Sequence, residues 1–193
     1  MVLALLAQVL TMLCGFMPAL NIVFEKENGT VEQMNVTPVN RFAFVLAKLI
    51  PFWFMGFLSL TISFGVAWLF YGMWPASGIA VLYLFSSVYV LAISGLGLVI
   101  SNIANTVQQA MFMMFFFVMM MLFMSGLFTP VASMPQWAQH ISALMPLKYF
   151  ILILRQAYLK GGDIVTLVSP LLSLLGFVLF FGVLAILTYR KRT

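Results

Sequence analysis

The sequence predicts an all-α integral membrane protein of about five transmembrane helices, and three observations carry that prediction. The composition is 64% hydrophobic and only 7% charged, with a mean hydropathy of +1.15, whereas a soluble domain keeps roughly a quarter of its residues charged. Five apolar runs are each long enough to cross hydrocarbon, which takes about 20 residues. The charged residues fall almost wholly between or beyond those runs. A chain this apolar cannot cover itself with groups that water solvates. Lipid is its solvent, and there each long run must satisfy its own backbone hydrogen bonds as a helix.

The first run, residues 2–24, carries no charge and only Gln8, Thr11 and Asn21 as distinctly polar groups. It stops at Glu25-Lys26-Glu27. The second, 49–71, ends among Trp68, Tyr71 and Trp74, residue types that favour a membrane–water interface. Trp74-Pro75 then turns the chain, because proline holds its predecessor out of the helical region. The third run, 78–100, leads into Ser101-Asn102, and its Ser94-Gly95-Leu96-Gly97 segment lets a neighbouring helix approach closely. The fourth, 107–127, is crowded with Met and Phe between Met111 and Met121. That stripe is lipid-facing or core in one reading. In the other it is a path for apolar cargo, since flexible methionines suit promiscuous contacts. The fifth, 164–188, runs into Tyr189-Arg190-Lys191-Arg192. A single transmembrane domain covers 1–193, with no internal repeat or low-complexity linker.

Five spans place the two ends of the chain on opposite sides. The terminal basic cluster puts the carboxyl end in the cytoplasm. Counting back, 25–48 and 101–106 are cytoplasmic, while the Trp74 turn and 128–163 are external. Lys26, Arg41, Lys48, Arg190, Lys191 and Arg192 then lie inside, against Lys148, Arg155 and Lys160 outside. The formal charge of +5 belongs to this orientation pattern rather than to nucleic acid, because no basic cluster forms a phosphate-binding face. The start of the chain lacks the basic region of a secretory signal. Its immediate apolar run points to a short native start or a missing amino-terminal part. Cys14, the single cysteine, cannot form an intramolecular disulfide.

Two segments are not simple spans. In 25–41, the most polar stretch, Thr30-Val31-Glu32-Gln33 fits a capping box, and Glu32 falls in the first turn, where the helix dipole favours an anion. Pro38 ends the pattern, which predicts a helix of one or two turns. It is a solvated loop with an incidental cap, or a docking peg for a soluble partner. The external segment 128–163 is divided by Pro130, Pro135 and Pro146. Between the last two, Trp137, Ile141 and Leu144 recur at helical spacing. From Leu147 to Leu159, Phe150, Ile151, Leu154 and Tyr158 form a second helical pattern that stops at Gly161-Gly162. Neither piece can span, so each is expected to be interfacial or re-entrant. His140, the only histidine, has no neighbouring Cys, second His or acid, and reads as a polar interface residue rather than a metal ligand or base.

The spans hold no ionisable constellation of the kind that marks intramembrane catalysis or ion coupling. The acids are Glu25, Glu27, Glu32 and Asp163, all in expected water-facing segments, and Lys48 sits at a boundary where it can snorkel. Neither paired carboxylates nor a zinc set is available, and no phosphate-cradling GxxxxGK[ST] loop occurs. No cofactor or metal is expected. Energy for any active transport has to enter from another subunit. The sequons at Asn28 and Asn35 lie in the expected cytoplasmic loop.

The run Glu25-Lys26-Glu27-Asn28-Gly29-Thr30-Val31-Glu32-Gln33, followed by Thr37-Pro38 and Lys48-Leu49-Ile50-Pro51, resembles the first cytoplasmic loop of ABC-2 type exporter permeases. That loop typically reads E-[KR]-E-x-G-T-x-E-Q, then T-P, then K-x-x-P. Ser125-Gly126-Leu127-Phe128-Thr129-Pro130, Ser133-Met134-Pro135 and Met145-Pro146-Leu147-Lys148-Tyr149-Phe150 resemble the family's external re-entrant hairpin. The resemblance implies that Glu25, Glu27, Gly29, Thr30, Glu32, Gln33 and Pro38 form an ATPase-coupling segment. It also implies that Pro130, Pro135, Pro146 and Tyr149 belong to the re-entrant segment. It implies a permease subunit, itself not an enzyme, that pairs with a second permease subunit as homo- or heterodimer. ATP is then bound and hydrolysed by a cytoplasmic ABC ATPase subunit, in a bacterial inner membrane. The expected cargo is amphipathic, drug-like or lipid-linked. Family members have six spans, so this sequence resembles the carboxy-terminal part, without the first span and external domain. A non-transport scaffold and an inactive truncated permease are the rival readings.

Overall fold

A computed structural model describes residues 2–29, 41–72, 78–128, 130–159 and 164–188. Seven α-helices and one 3-10 turn make up the regular structure of these residues, and they contain no strand. The helices are α1 (Val2–Glu27), α2 (Arg41–Tyr71), α3 (Ile79–Ile103), α4 (Val107–Met124), α5 (Gln136–Ala143), α6 (Pro146–Leu159) and α7 (Ile164–Thr188). Five of them, α1 to α4 and α7, are long and apolar enough to cross a membrane.

The helix ends follow local chemistry. Thr106 caps α4, its hydroxyl accepting from the Gln109 amide at 3.2 Å. Beyond Met124 the chain turns through Gly126 at φ +81°, a conformation that suits glycine. This stops α4 three residues before the expected boundary at 127. α1 and α3 run on to Glu27 and Ile103, past the expected 24 and 100. α2 begins at Arg41, not 49, and carries Pro51 within it. The ring removes one amide donor there, a loss that membrane helices tolerate when neighbouring groups compensate.

α1 and α3 form the centre. An added Cβ at Gly97 would come within 2.5 Å of the Gly15 carbonyl oxygen and 3.2 Å of the Ala19 amide nitrogen, so the two backbones touch at this crossing. On the other side of α3, Gly95 packs on Phe181 and Gly182 of α7. The Ser94–Gly97 segment therefore serves two crossings at once, as its small residues predict. The same pair is joined by hydrogen bonds. Thr11 Oγ1 lies 2.6 Å from the Tyr89 hydroxyl, and the Ser101 hydroxyl accepts from the Val23 amide at 3.1 Å.

α6 packs among α1, α3 and α7 with Leu147, Phe150, Ile153, Leu154 and Ala157 fully buried. The helix, expected as an interfacial or re-entrant piece, sits inside the bundle. The Phe150 ring stacks on Tyr89 at 4.0 Å, and Tyr149 meets Phe177 at 5.9 Å, both near the middle of their long helices. At the other end Tyr158 meets Phe64 at 6.1 Å, and Arg155 donates to the Gly126 carbonyl at 3.2 Å. α6 thus begins at half depth and rises towards the end where α4 stops. α5 meets it at a corner of 84°. The helical spacing of Trp137, Ile141 and Leu144 does not mark α5's packed face: Ala138 and Ser142 are buried, whereas Trp137 and Leu144 are exposed. Small side chains let α5 lie close to α4.

Candidate functional site

The opposite end of the bundle gathers the tail of α1, the start of α2, and the turn between α3 and α4. The three charged residues that close α1 each hold a different neighbour. Glu25 pairs with Lys48 of α2, and Lys48 also donates to the Asn21 side chain. Lys26 directs its ammonium at the end of α3, donating to the carbonyls of Ser101 at 2.8 Å, Asn102 at 2.9 Å and Ala104 at 3.2 Å. Glu27 accepts from the Val107 amide at 2.8 Å, at the start of α4.

The electrostatics are matched in sign. A helix ends in unsatisfied carbonyls that favour a cation and begins with unsatisfied amides that favour an anion. Lys26 supplies the first to α3 and Glu27 the second to α4. Gln109 completes the turn, its side-chain oxygen accepting from the Asn105 amide at 3.0 Å. Asn102 then reaches across to the Ala185 carbonyl of α7 at 2.9 Å. Five helices therefore meet through polar contacts at one end.

Of the expected coupling residues, Glu25, Glu27 and Gly29 fall within the described residues. Glu25 and Glu27 are engaged inside the chain. Gly29, at φ +71°, closes α1, with its amide donating to the Lys26 carbonyl at 3.2 Å. Thr30, Glu32, Gln33 and Pro38, and with them the expected capping box of Thr30–Gln33, lie outside the described residues. So do the Trp74-Pro75 turn, Gly161-Gly162 and the terminal basic cluster. Sequence reading missed these contacts of Lys26 and Lys48, taking both as orientation charges and motif positions, and Lys48 as a boundary residue able to snorkel. One signal was available: Thr106-Val107-Gln108-Gln109 has the spacing of a helix start, so a cation and an anion before it had helix ends to meet.

Beyond α4, the expected re-entrant residues mark the ends of the short elements. Pro130 precedes the 3-10 turn Val131–Ser133, Pro135 precedes α5, and Pro146 is the first residue of α6. A proline suits that first position because its missing amide has no helical partner to lose. Tyr149 braces the corner, its hydroxyl donating to the Ala143 carbonyl at 3.0 Å. His140 lies in α5, and no group of three or more His, Cys, Asp and Glu side chains fit to hold a metal occurs among the described residues.

A family model described as "ABC-2 family transporter protein" matches residues 1–187. Among curated proteins, the chain is 29% identical over 189 residues to the "Probable multidrug ABC transporter permease YbhR" of Escherichia coli (strain K12), covering 98% of this chain and 51% of that protein. It is 28% identical to the "Probable multidrug ABC transporter permease YbhS" of the same organism, covering 95% and 49%. It is 26% identical to that organism's "Inner membrane transport permease YhhJ", covering 94% and 49%. The chain spans about half the length of these relatives.

Proposed function

The chain belongs to the ABC-2 transporter family, and on that premise we propose that it is permease material of an ATP-driven exporter, moving an amphipathic, drug-like or lipid-linked molecule outward across a bacterial inner membrane. In this reading ATP is bound and hydrolysed by a cytoplasmic ATPase subunit, and the permease works with a second permease subunit. The segment 25–41 takes up the movement of the ATPase. The carboxyl end is cytoplasmic, on the same side as the junction. The α5–α6 pair is a re-entrant hairpin entered from the outer end.

One observation carries the proposal. Three consecutive charged residues, Glu25, Lys26 and Glu27, tie the tail of α1 to the facing ends of α2, α3 and α4. A solvated loop has no need of such a junction, whereas a segment that receives force must be stiffly joined to what it moves. The printed names of the relatives, two of them multidrug ABC transporter permeases, support the cargo class. Glu25 and Glu27 act in this scheme by fastening the segment, and Glu32 and Gln33 are left as the groups that meet the ATPase.

Co-purification tests the reading. The tagged chain, expressed in its own host and extracted in mild detergent, is expected to bring down an ATP-binding subunit. Glu32→Ala lowers that recovery. Lys26→Met preserves recovery and lowers stimulation of ATP hydrolysis. A folded, inserted chain that recovers no ATPase would overturn the proposal in favour of a scaffold or an inactive permease.

A further inference from the structure

We propose that the face between α1 and α2 is a binding groove for a single-chain amphiphile drawn sideways from the bilayer, carrying a neutral ester, amide or hydroxyl group partway along its chain. The groove has a volume of about 300 Å3. Its walls include Leu13, Cys14 and Met17 of α1 and Phe52, Ser59 and Ser63 of α2. Small-molecule sites begin at roughly this size, and they are largely apolar with a few placed polar groups. Both walls belong to membrane-spanning stretches, and Leu13 and Met17 on its rim are exposed. The groove therefore opens on the side of the bundle rather than at either end.

The two serines set the ligand class. Ser59 and Ser63 stand one helical turn apart, and Ser59 is only 9% exposed. Neither hydroxyl makes a hydrogen bond among the described residues. Several other hydroxyls in the spans fold back on their own helices, Thr11 onto the Ala7 carbonyl at 2.6 Å, Thr61 onto Phe57 at 2.8 Å and Ser94 onto Val90 at 2.6 Å. The Ser86 hydroxyl, by contrast, is enclosed within the bundle with no partner among the described residues, and it does not line the groove. A hydroxyl without a partner in hydrocarbon is costly, so polar side chains in spans normally find one. A plain alkyl chain offers these serines nothing, whereas an ester or amide carbonyl accepts from both. No acidic or basic side chain lines the groove, so a neutral polar group suits it better than a charged one. The nearest charge along α2, Lys48, lies one turn below Phe52 and is engaged by Glu25 and Asn21. The binding claim stands on this geometry, and only the identification of the bound molecule as cargo rests on the exporter reading.

Photolabelling tests it directly. Membranes holding the chain are irradiated with a fatty acyl methyl ester bearing a diazirine at mid-chain, or with the matching diazirine alkane, and adducts are mapped by mass spectrometry. The ester is expected to label the α1 and α2 groove residues, and excess unlabelled ester is expected to suppress this. The Ser59→Ala/Ser63→Ala double variant lowers ester labelling on the order of threefold to tenfold, the loss expected for a hydrogen bond. It leaves alkane labelling unchanged. Ser59→Phe, which fills the groove, removes both, and the alanine pair tests the site even if that variant does not fold. Three results would each overturn the proposal: adducts spread evenly over the exposed faces of α4 and α7, ester labelling unchanged in the alanine pair, or a groove left unlabelled because another protein segment covers it. The readout is binding, so it is separate from recovery of an ATPase.

Discussion

Replacing Gly97 by alanine probes the contact on which the bundle is centred. The new Cβ would stand 2.5 Å from the Gly15 carbonyl oxygen and 3.2 Å from both the Ala19 nitrogen and the Pro18 Cβ. The nearest of these is a backbone atom, so no rotamer change relieves the clash and α1 has to move away from α3. Overpacking of this kind costs about 1–3 kcal/mol. Alanine also favours a helix over glycine by roughly 0.5–1 kcal/mol, which leaves a net loss of up to about 2.5 kcal/mol. Gly65→Ala and Gly176→Ala supply the control, because nothing lies within 4 Å of a Cβ at either site. They retain the propensity gain alone and are expected to be neutral or stabilising. Gly95→Ala falls between, its Cβ meeting the Phe181 side chain at 3.2 Å. The assay is the midpoint of denaturation in detergent, followed by helical circular dichroism, with midpoints ordered Gly97→Ala, then Gly95→Ala, then the controls. A Gly97→Ala protein as stable as Gly65→Ala would refute the α1–α3 crossing as described.

The junction gives two further predictions. Lys26→Met strips the ammonium from the end of α3 and is expected to cost about 1–2 kcal/mol. The loss appears as a lower denaturation midpoint and as faster hydrogen exchange at Ala104, whose amide closes α3. Lys48→Met leaves Glu25 part-buried without its cation, whereas Glu25→Gln/Lys48→Met removes both charges. The double variant is therefore expected to be more stable than Lys48→Met alone, and a double-mutant cycle measures the difference. Inside the bundle, Thr11→Val strands the Tyr89 hydroxyl and is expected to cost about 1–3 kcal/mol. Adding Tyr89→Phe removes the stranded group and should recover much of that loss in the same assay.

The five spans were legible because each is a long apolar run, and in lipid such a run has only the helix to adopt. Their ends were less legible, because hydropathy stops at the first charge and a helix does not. Glu25, Lys26 and Glu27 end the apolar run, yet all three belong to α1, since each charge has a partner on a neighbouring helix end. Lys48 likewise sits inside α2 because Glu25 and Asn21 receive it. These pairings depend on which helices lie side by side, and no local pattern encodes that. The resemblance pointed to the segment after Phe24 as functional, but not to the fastening of Lys26 onto the turn between α3 and α4. In the short helices, Phe150, Ile151, Leu154 and Tyr158 were read correctly as one face, and all four are buried. The spacing of Trp137 and Leu144 misled, because a site that admits a helix closely selects Ala138 and Ser142 over larger apolar groups.

Lipid also inverts the usual link between hydrophobicity and burial. Fifty-six per cent of the spanning stretch is buried in both α1 and α3, against 11% in α7, the most apolar of the five. In water the most apolar helix would be driven inside. In hydrocarbon that force is absent between helices, and close approach of small residues and polar contacts decide the order instead. Gly15, Ala19 and Thr11 place α1 at the centre, and Gly95, Gly97 and Ser101 do the same for α3. The leucines and phenylalanines of α7 are left largely on the outside of the bundle. A matched pair of truncations separates the two regimes. Leu10 is 1% exposed and Leu179 is 69% exposed. Leu10→Ala opens a cavity and loses dispersion contacts. The transfer term is largely missing because lipid is as apolar as the interior, so the expected cost is about 1–3 kcal/mol, at the lower end of the soluble range. Leu179→Ala exchanges one lipid contact for another and is expected to stay within about 0.5 kcal/mol of the parent. Equal losses at the two sites, measured as denaturation midpoints in the same detergent, would mean that the exposed face of α7 is covered by protein rather than lipid.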